Sequence, residues 1–253
     1  MRIIASVQVR LGSTRLPRKA LKEIMDKPVL YYLIERLKRA TLVDDIIVAT
    51  SVEKIDDDIE MFCRNNAIHC FRGSEQDVLG RVLGALKYMD ADVGVEVYGD
   101  CPLIDPEVVD EIVGFYLDNR VRYDFVTNGL KSTYPPGLEV EVYPVSILED
   151  SSKQINDLAI REHGTLFIRK NPQKYRLYNI EAPNELYYPD YYIELDTQED
   201  FIIIKNIYEE LYPENPDFRT IDVIDYLTKN KNLRELNSNV HRRWKEFRVE
   251  YNQ

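Results

Sequence analysis

The segment Gln8-Val9-Arg10-Leu11-Gly12-Ser13-Thr14-Arg15-Leu16-Pro17-Arg18-Lys19 gathers four cations, Arg10, Arg15, Arg18 and Lys19, beside Gly, Ser, Thr and Pro. Gly12 lets the backbone come close to a ligand, and consecutive N–H groups can form an anion nest. Arginine forks and a lysine point charge would then neutralise a triphosphate. The segment is not a Walker A loop, because G-x-x-x-x-G-K-[ST] is absent. A solvated basic loop would have the same composition. Placement directly after the apolar run Ile3 to Val7 favours the phosphate cradle, since a doubly wound sheet binds ligands at the carboxyl ends of its strands.

Two carboxylates occupy comparable places. Asp100 follows the apolar run Val93 to Val97 within Gly99-Asp100-Cys101-Pro102, where Pro102 stiffens the turn. Asp196 ends the run Tyr191 to Leu195 and precedes a helix for which Thr197 is the N-cap. Phosphoryl-type transfer leaves a protein mainly positioning and charge neutralisation, usually through Mg²⁺, which takes one or two carboxylates plus phosphates and water. Both residues also read as turn or helix-cap carboxylates. Glu194 lies on the same strand face as Asp196 and is an auxiliary candidate. Among rival acidic clusters, Asp56-Asp57-Asp58 reads as a solvated helix start. Asp90-Ala91-Asp92 resembles the D-x-D of nucleotide-sugar glycosyltransferases but precedes a strand instead of following one.

The elements that must position these residues alternate in type. Strand runs are expected at Ile3 to Val7, Ile46 to Thr50, Ile68 to Phe71, Val93 to Val97 and Asp124 to Thr127. Helical spacing falls between them, over Val29 to Leu42, Ile55 to Phe62, Asp77 to Tyr88 and Pro106 to Tyr116. Such alternation predicts a parallel sheet covered on both faces. Beyond the turn Tyr134-Pro135-Pro136-Gly137, Leu138 to Tyr143 alternates like an exposed or edge strand. Leu158 to Ile168 reads as one helix, Tyr175 to Ile180 as extended, Tyr191 to Leu195 as a strand, and the stretch from Thr197 to about Leu211 as a helix. With no repeat or linker, the chain reads as one domain over 1–253, its core about 1–230 and a helical C-terminal segment about 218–253.

Composition bounds the partners. The 253 residues carry 33 Lys+Arg against 44 Asp+Glu, a net charge of −11, which excludes a general polyanion or nucleic-acid binder. An acidic protein that binds an anion must collect its cations locally, and the first twenty residues do so. Three cysteines without C-x-x-C spacing, no signal-peptide core and no membrane-length apolar run point to the cytoplasm.

The basic segment resembles the Q-A-R-x-G-S-T-R-L-P-G-K motif of cytidylyltransferases that make CMP-activated acidic sugars, in particular the spore-coat-polysaccharide branch related to CMP-sialate, CMP-pseudaminate and CMP-Kdo synthetases. Further segments match in the same order: Ile46 to Ser51, Phe71-Arg72-Gly73-Ser74-Glu75-Gln76-Asp77-Val78-Leu79, Gly99 to Asp105, Gly137 to Val142, Arg161-Glu162-His163 and Leu195 to Asp200. The likeness covers roughly 2–205. It implies a Rossmann-like nucleotidyltransferase (GT-A-type) three-layer α/β sandwich, with a mostly parallel mixed sheet and a small antiparallel excursion. It also implies CMP transfer from CTP to an acidic sugar with release of pyrophosphate, Mg²⁺ held by Asp100 and Asp196, and a homodimer. In that reading Arg10, Arg15, Lys19 and Asp100 are catalytic. Gln8, Gly12 and Ser13 join Arg10, Arg15 and Lys19 around the nucleotide. Arg72, Gly73 and Ser74 read cytosine with support from Asp77 and Arg81, an i, i+4 pair that also makes surface salt bridges. Glu139, Glu141, Arg161, Glu162 and His163 frame the acceptor. Three departures bear on the acceptor: Arg18 stands where the family usually has Gly, Glu96 where it often has Arg, and Tyr192-Ile193 replaces an Arg-Trp pair. Another NTP, a sugar-phosphate or phosphonate acceptor, or a nucleotide-binding protein without catalysis are the competing readings.

Overall fold

The computed structural model describes residues 1–245. Its strands are β1 (Ile3–Gln8), β2 (Glu23–Ile24), β3 (Lys27–Pro28), β4 (Asp45–Ser51), β5 (His69–Gly73), β6 (Val93–Tyr98), β7 (Phe125–Thr127), β8 (Val140–Pro144) and β9 (Leu177–Asn179). Seven of them form one sheet in the order β5-β4-β1-β6-β8-β7-β9, while β2 and β3 pair as a separate small ribbon. β1 pairs in parallel with both β4 and β6, and β4 with β5. β8 runs antiparallel to its neighbours β6 and β7, and β7 is parallel to β9. The carboxyl ends of β1, β4, β5 and β6 therefore share one edge. The loop at 9–19, Asp100 and residues 73–77 all leave the sheet there.

The α-helices are α1 (Val29–Leu37), α2 (Asp57–Asn65), α3 (Val78–Tyr88), α4 (Pro106–Asn119), α5 (Val145–Gln154), α6 (Leu158–Arg161), α7 (Leu166–Lys170), α8 (Gln198–Leu211), α9 (Thr220–Lys229) and α10 (Lys231–Glu235), with short 3-10 turns at Lys19–Leu21, Lys54–Asp56 and Asn184–Leu186. The period-2 alternation of the strands divides the core in two. Ala5, Val7, Val48, Val95 and Val142 face α1, α4 and α8 through residues such as Leu33, Ile112 and Ile204. Ile4, Ile47, Ala49, Phe125 and Tyr143 face α3 and α5 through Leu79, Val82 and Leu148. The result is a three-layer α/β sandwich with a mixed, mostly parallel sheet.

Several expectations are corrected. Leu138 to Tyr143 is no edge strand: β8 lies between β6 and β7, with Val140, Glu141, Val142 and Tyr143 buried, because residues that look solvent-facing meet a second covered layer. Leu158 to Ile168 breaks into α6 and α7 at Gly164, whose φ of +48° cannot continue a right-handed helix. Tyr191 to Leu195 is extended but belongs to no strand; its backbone bonds are isolated, Ile193 N to Pro136 O and Leu195 N to Asp100 O. α5, over Val145–Gln154, is a helix that the sequence reading does not name. Asp56-Asp57-Asp58 is not a uniformly solvated start, since Asp56 is buried. Within the expected helical C-terminal segment, α9 and α10 are helices, the chain from 236 to 242 is irregular, and 246–253 lie outside the described residues. No helix among the described residues is long and apolar enough to cross a membrane.

Buried Asp105 joins the layers. It caps α4 by accepting from Glu107 N (3.0 Å) and holds the start of α9 by accepting from Thr220 N (2.7 Å) and Thr220 Oγ1 (2.8 Å). Asp105→Ala removes a cap and strands a buried N–H, so urea unfolding should show a loss of about 3 kcal/mol. Loss below about 1 kcal/mol would mean that water replaces the carboxylate.

Candidate active site

The loop after β1 is clamped at its root. Val9 N donates to Ala49 O, Gly99 N donates to Gln8 O, and Arg18 N closes the loop onto Leu11 O. Leu11, Leu16 and Ala20 are buried and anchor the intervening polar residues. Asp56 accepts from Leu11 N at 2.8 Å, and its other oxygen takes Ser51 N and the Ser51 hydroxyl. One carboxylate thus ties the loop to the end of β4. Arg18 has φ 58° and ψ 27°, the left-handed region where glycine is free of strain. That explains the glycine of the related motif. The Arg18 side chain reaches away to Asp58 (2.6 Å).

The four loop cations are all ion-paired. Arg10 lies 3.6 Å from Glu75 and 3.4 Å from Glu162. Arg15 Nη2 is 2.8 Å from Asp196 Oδ2. Lys19 Nζ sits between the two carboxylates singled out in the sequence, 3.0 Å from Asp100 Oδ2 and 2.9 Å from Asp196 Oδ1, and also donates to Leu195 O at 2.7 Å. Although burial opposes its charge, Asp100 and Asp196 raise the Lys19 pKa above the ordinary value. Asp196 is correspondingly lowered by Lys19 and Arg15 against the effect of its own burial. Lys19, Asp100 and Asp196, 177 residues apart at the extremes, form one cluster at the sheet edge.

A second layer of residues, not recognised in the sequence, holds Asp196. Buried Asp200 accepts from Asp196 N (3.0 Å) and Thr197 N (2.8 Å), which fixes the carboxylate at the entry to α8. Asp200 is held in turn by Arg242 through Nη2–Oδ1 at 2.7 Å and Nη1–Oδ2 at 3.0 Å, and by Asn237 at 2.7 Å. Glu194 accepts from Trp244 (2.8 Å) and lies 3.2 Å from Arg242; burial, with Glu139 nearby, pushes it up to about 8. Gly137, at φ +113°, passes so close that a Cβ there would meet Glu194 N at 2.7 Å. Only the N3 acid of the cap motif at Thr197 was a signal for Asp200; the segment 237–244 offered none.

The base-side candidates divide. Gly12 and Ser13 lie within the loop, with Ser13 Oγ accepting from Leu16 N and Gly12 facing Glu75, while Gly73 and Ser74 pack against Arg81. The Arg72 side chain does not face the loop. It binds Asp57 (2.6 Å), Glu60 (2.9 Å), Ser51 O and Glu53 O, fastening β5 to α2. Asp77 is the N-cap of α3, accepting from Gly80 N, and takes both oxygens to Arg161, at 2.9 and 2.7 Å. Asp77 and Arg81 are therefore not a salt bridge to each other. Arg81 is buried beneath the turn and donates to Ser74 O (2.7 Å) and Glu75 O (3.3 Å). These three side chains brace the turn at 73–77 and its surroundings. Arg161 also binds Ser152 O and Ile155 O, and so sets Glu162 against Arg10, while His163 occupies the exposed turn before Gly164. Asp92 lies at the opposite end of β6, accepting from Arg2 N, remote from this edge.

Gln8 donates through Nε2 to Glu96 Oε1 (2.7 Å), and Tyr143 donates to Glu96 Oε2 (2.8 Å). Glu96 faces Glu141 across β6 and β8; Glu141 accepts from Tyr98 (3.0 Å) and Thr165 (2.5 Å), with Arg169 at 3.7 Å. Glu141 therefore belongs to this buried network, while Glu139 accepts from Gly137 N (2.8 Å) beside Glu194. Burial first, then Glu141, raises Glu96 to about 8. Between the ordinary carboxylate range and about 8, folded protein binds a proton that unfolded protein has released, so stability falls as pH rises through that window. Glu96→Gln should flatten the decline of Tm between pH 5.5 and 8 relative to wild type, and parallel curves would refute it.

The family model described as Cytidylyltransferase matches residues 4–244. The spore coat polysaccharide biosynthesis protein SpsF of Bacillus subtilis is 33% identical over 233 residues, covering 90% of this chain and 95% of that protein. A solved cytidylyltransferase from Leptospira borgpetersenii is similar with a TM-score of 0.85 and 31% identity, over 95% of this chain and 98% of that one. CMP:2-keto-3-deoxy-manno-octonic acid synthetase complexed with CTP superposes with a TM-score of 0.60 over 83% of this chain and 100% of that one; at 15% identity this is a likeness of fold.

Proposed function

Because the chain belongs to the cytidylyltransferase family, and is thus a CTP-dependent nucleotidyltransferase, we propose that it transfers CMP from CTP to an acidic sugar of nonulosonate or Kdo-like type, for a surface polysaccharide or glycan. The observation that carries this reading is the meeting of Lys19, Arg15, Asp100 and Asp196 at the mouth of the loop after β1. An acceptor oxygen attacks the α-phosphorus in line, forming one P–O bond as the bond to the β-phosphate oxygen breaks and pyrophosphate leaves. The acceptor proton passes to a base or solvent.

Arg10, Arg15 and Lys19 stabilise charge on the leaving pyrophosphate, and the backbone N–H groups near Gly12 and Ser13 hold phosphate oxygens. Gln8, Gly73 and Ser74 contact the nucleoside, with Arg72, Asp77 and Arg81 positioning that wall. The residues fit a divalent ion: Asp100 and Asp196 present hard oxygen donors from two segments toward one point, and a cationic group already bridges them. Mg²⁺ held by them would supply neutralisation of phosphate charge. The part that SpsF takes in spore coat polysaccharide biosynthesis supports a surface-polysaccharide precursor as the product. A cytoplasmic homodimer built from one such domain belongs to the same reading.

The test is pyrophosphate release from each of the four NTPs with Mg²⁺ and a panel of acidic sugars. CTP-selective release is expected, and preference for GTP or UTP would retire the CTP assignment. Asp100→Asn and Asp196→Asn should each lower kcat/KM by about 100-fold or more, roughly 2.7 kcal/mol at the transition state, without loss of fold by circular dichroism.

A further inference from the structure

Lys19 has three N–H donors, and three oxygens take them: Asp100 Oδ2, Asp196 Oδ1 and the Leu195 carbonyl, all at 2.7–3.0 Å. Its side chain is only 14% exposed, against 34% for Asp100 and 13% for Asp196. An oxygen-lined position with two carboxylates is what a hard divalent cation requires. Here the chain's own ammonium fills it.

We propose that Lys19 is a resident counter-cation: it holds Asp100 and Asp196 converged in the nucleotide-free enzyme and must leave them before a divalent ion binds. The two occupancies exclude each other. A divalent ion on both carboxylates would lie beside the ammonium and repel it, and would take the oxygens on which its hydrogen bonds depend. With its three donors engaged, Lys19 also cannot bind phosphate without releasing these acceptors. The inference rests on the nucleotidyltransferase reading for its second half, in which the triphosphate receives the ammonium as the metal takes the carboxylates. Metal and nucleotide then strengthen each other's binding by the same factor. Arg15, on the second oxygen of Asp196, does not substitute for Lys19, because no bond joins it to Asp100 among the described residues.

The experiment is titration of the nucleotide-free full-length protein with Mn²⁺, following free Mn²⁺ by electron paramagnetic resonance. Lys19→Met keeps an unbranched side chain one atom shorter and removes the charge, and should bind Mn²⁺ about tenfold tighter than wild type. Lys19→Arg keeps a cation and should bind as weakly as wild type. Asp196→Asn combined with Lys19→Met should lose the gain. Equal or weaker binding by Lys19→Met, or retention of tight binding in the double variant, would overturn the proposal. Should Lys19→Met fail to melt cooperatively, Lys19→Gln gives the same comparison. The addition of CTP should tighten Mn²⁺ binding to wild type more than to Lys19→Met. The nucleotide-free titration stands apart from the pyrophosphate assay, so either can fail while the other succeeds.

Discussion

A charged group buried at a sheet edge must find its counter-charge within the protein, and Lys19 finds two. That requirement draws together the loop after β1, the turn after β6 and the entry to α8, three segments that share no local sequence. It also changes the character of the basic loop. Arg10, Arg15, Arg18 and Lys19 form no bare positive patch, because Glu75, Glu162, Asp196, Asp58 and Asp100 compensate them. Any anion binding at this loop would have to exchange partners with these carboxylates.

The same logic organises the support. Asp56, Asp105 and Asp200 are each buried: Asp56 and Asp105 accept backbone N–H groups from the distant Leu11 and Thr220, while Asp200 accepts from Asp196 N four residues earlier and is tied to the distant Asn237 and Arg242 side chains. A buried carboxylate with several donors is rigid, since any displacement leaves donors unpaired at a cost of about 1–3 kcal/mol each. Arg242 extends this chain of dependence. Its pair with Asp200 makes the position of Asp196 at the sheet edge depend on a residue 42 positions further along the chain than Asp200.

On the other face of the sheet, Glu96, which stands where the related family often has Arg, faces Glu141 across β6 and β8. Tyr98, Tyr143, Thr165, Gln8 and Arg169 satisfy or offset them. The Glu96 departure therefore lies beneath Gln8 within the fold, where it meets the start of the basic loop through one amide and has no bond to the Lys19 cluster among the described residues.

Local sequence by itself determined the alternation of strands and helices, the covered parallel core, and the edge at which the loop and Asp100 emerge. Those follow from apolar period and from the one-way exit of parallel strands, both readable within a dozen residues. Only the tertiary structure decided that Leu138 to Tyr143 is interior, that Gly164 divides a helix, and that Asp56 is a clamp while Arg72 faces away from the loop. It also decided that residues 237–244 brace Asp196. Each of these depends on which distant group satisfies a polar atom or covers an apolar face. Residue type announces the need for a partner, but the partner is chosen by packing across the whole chain.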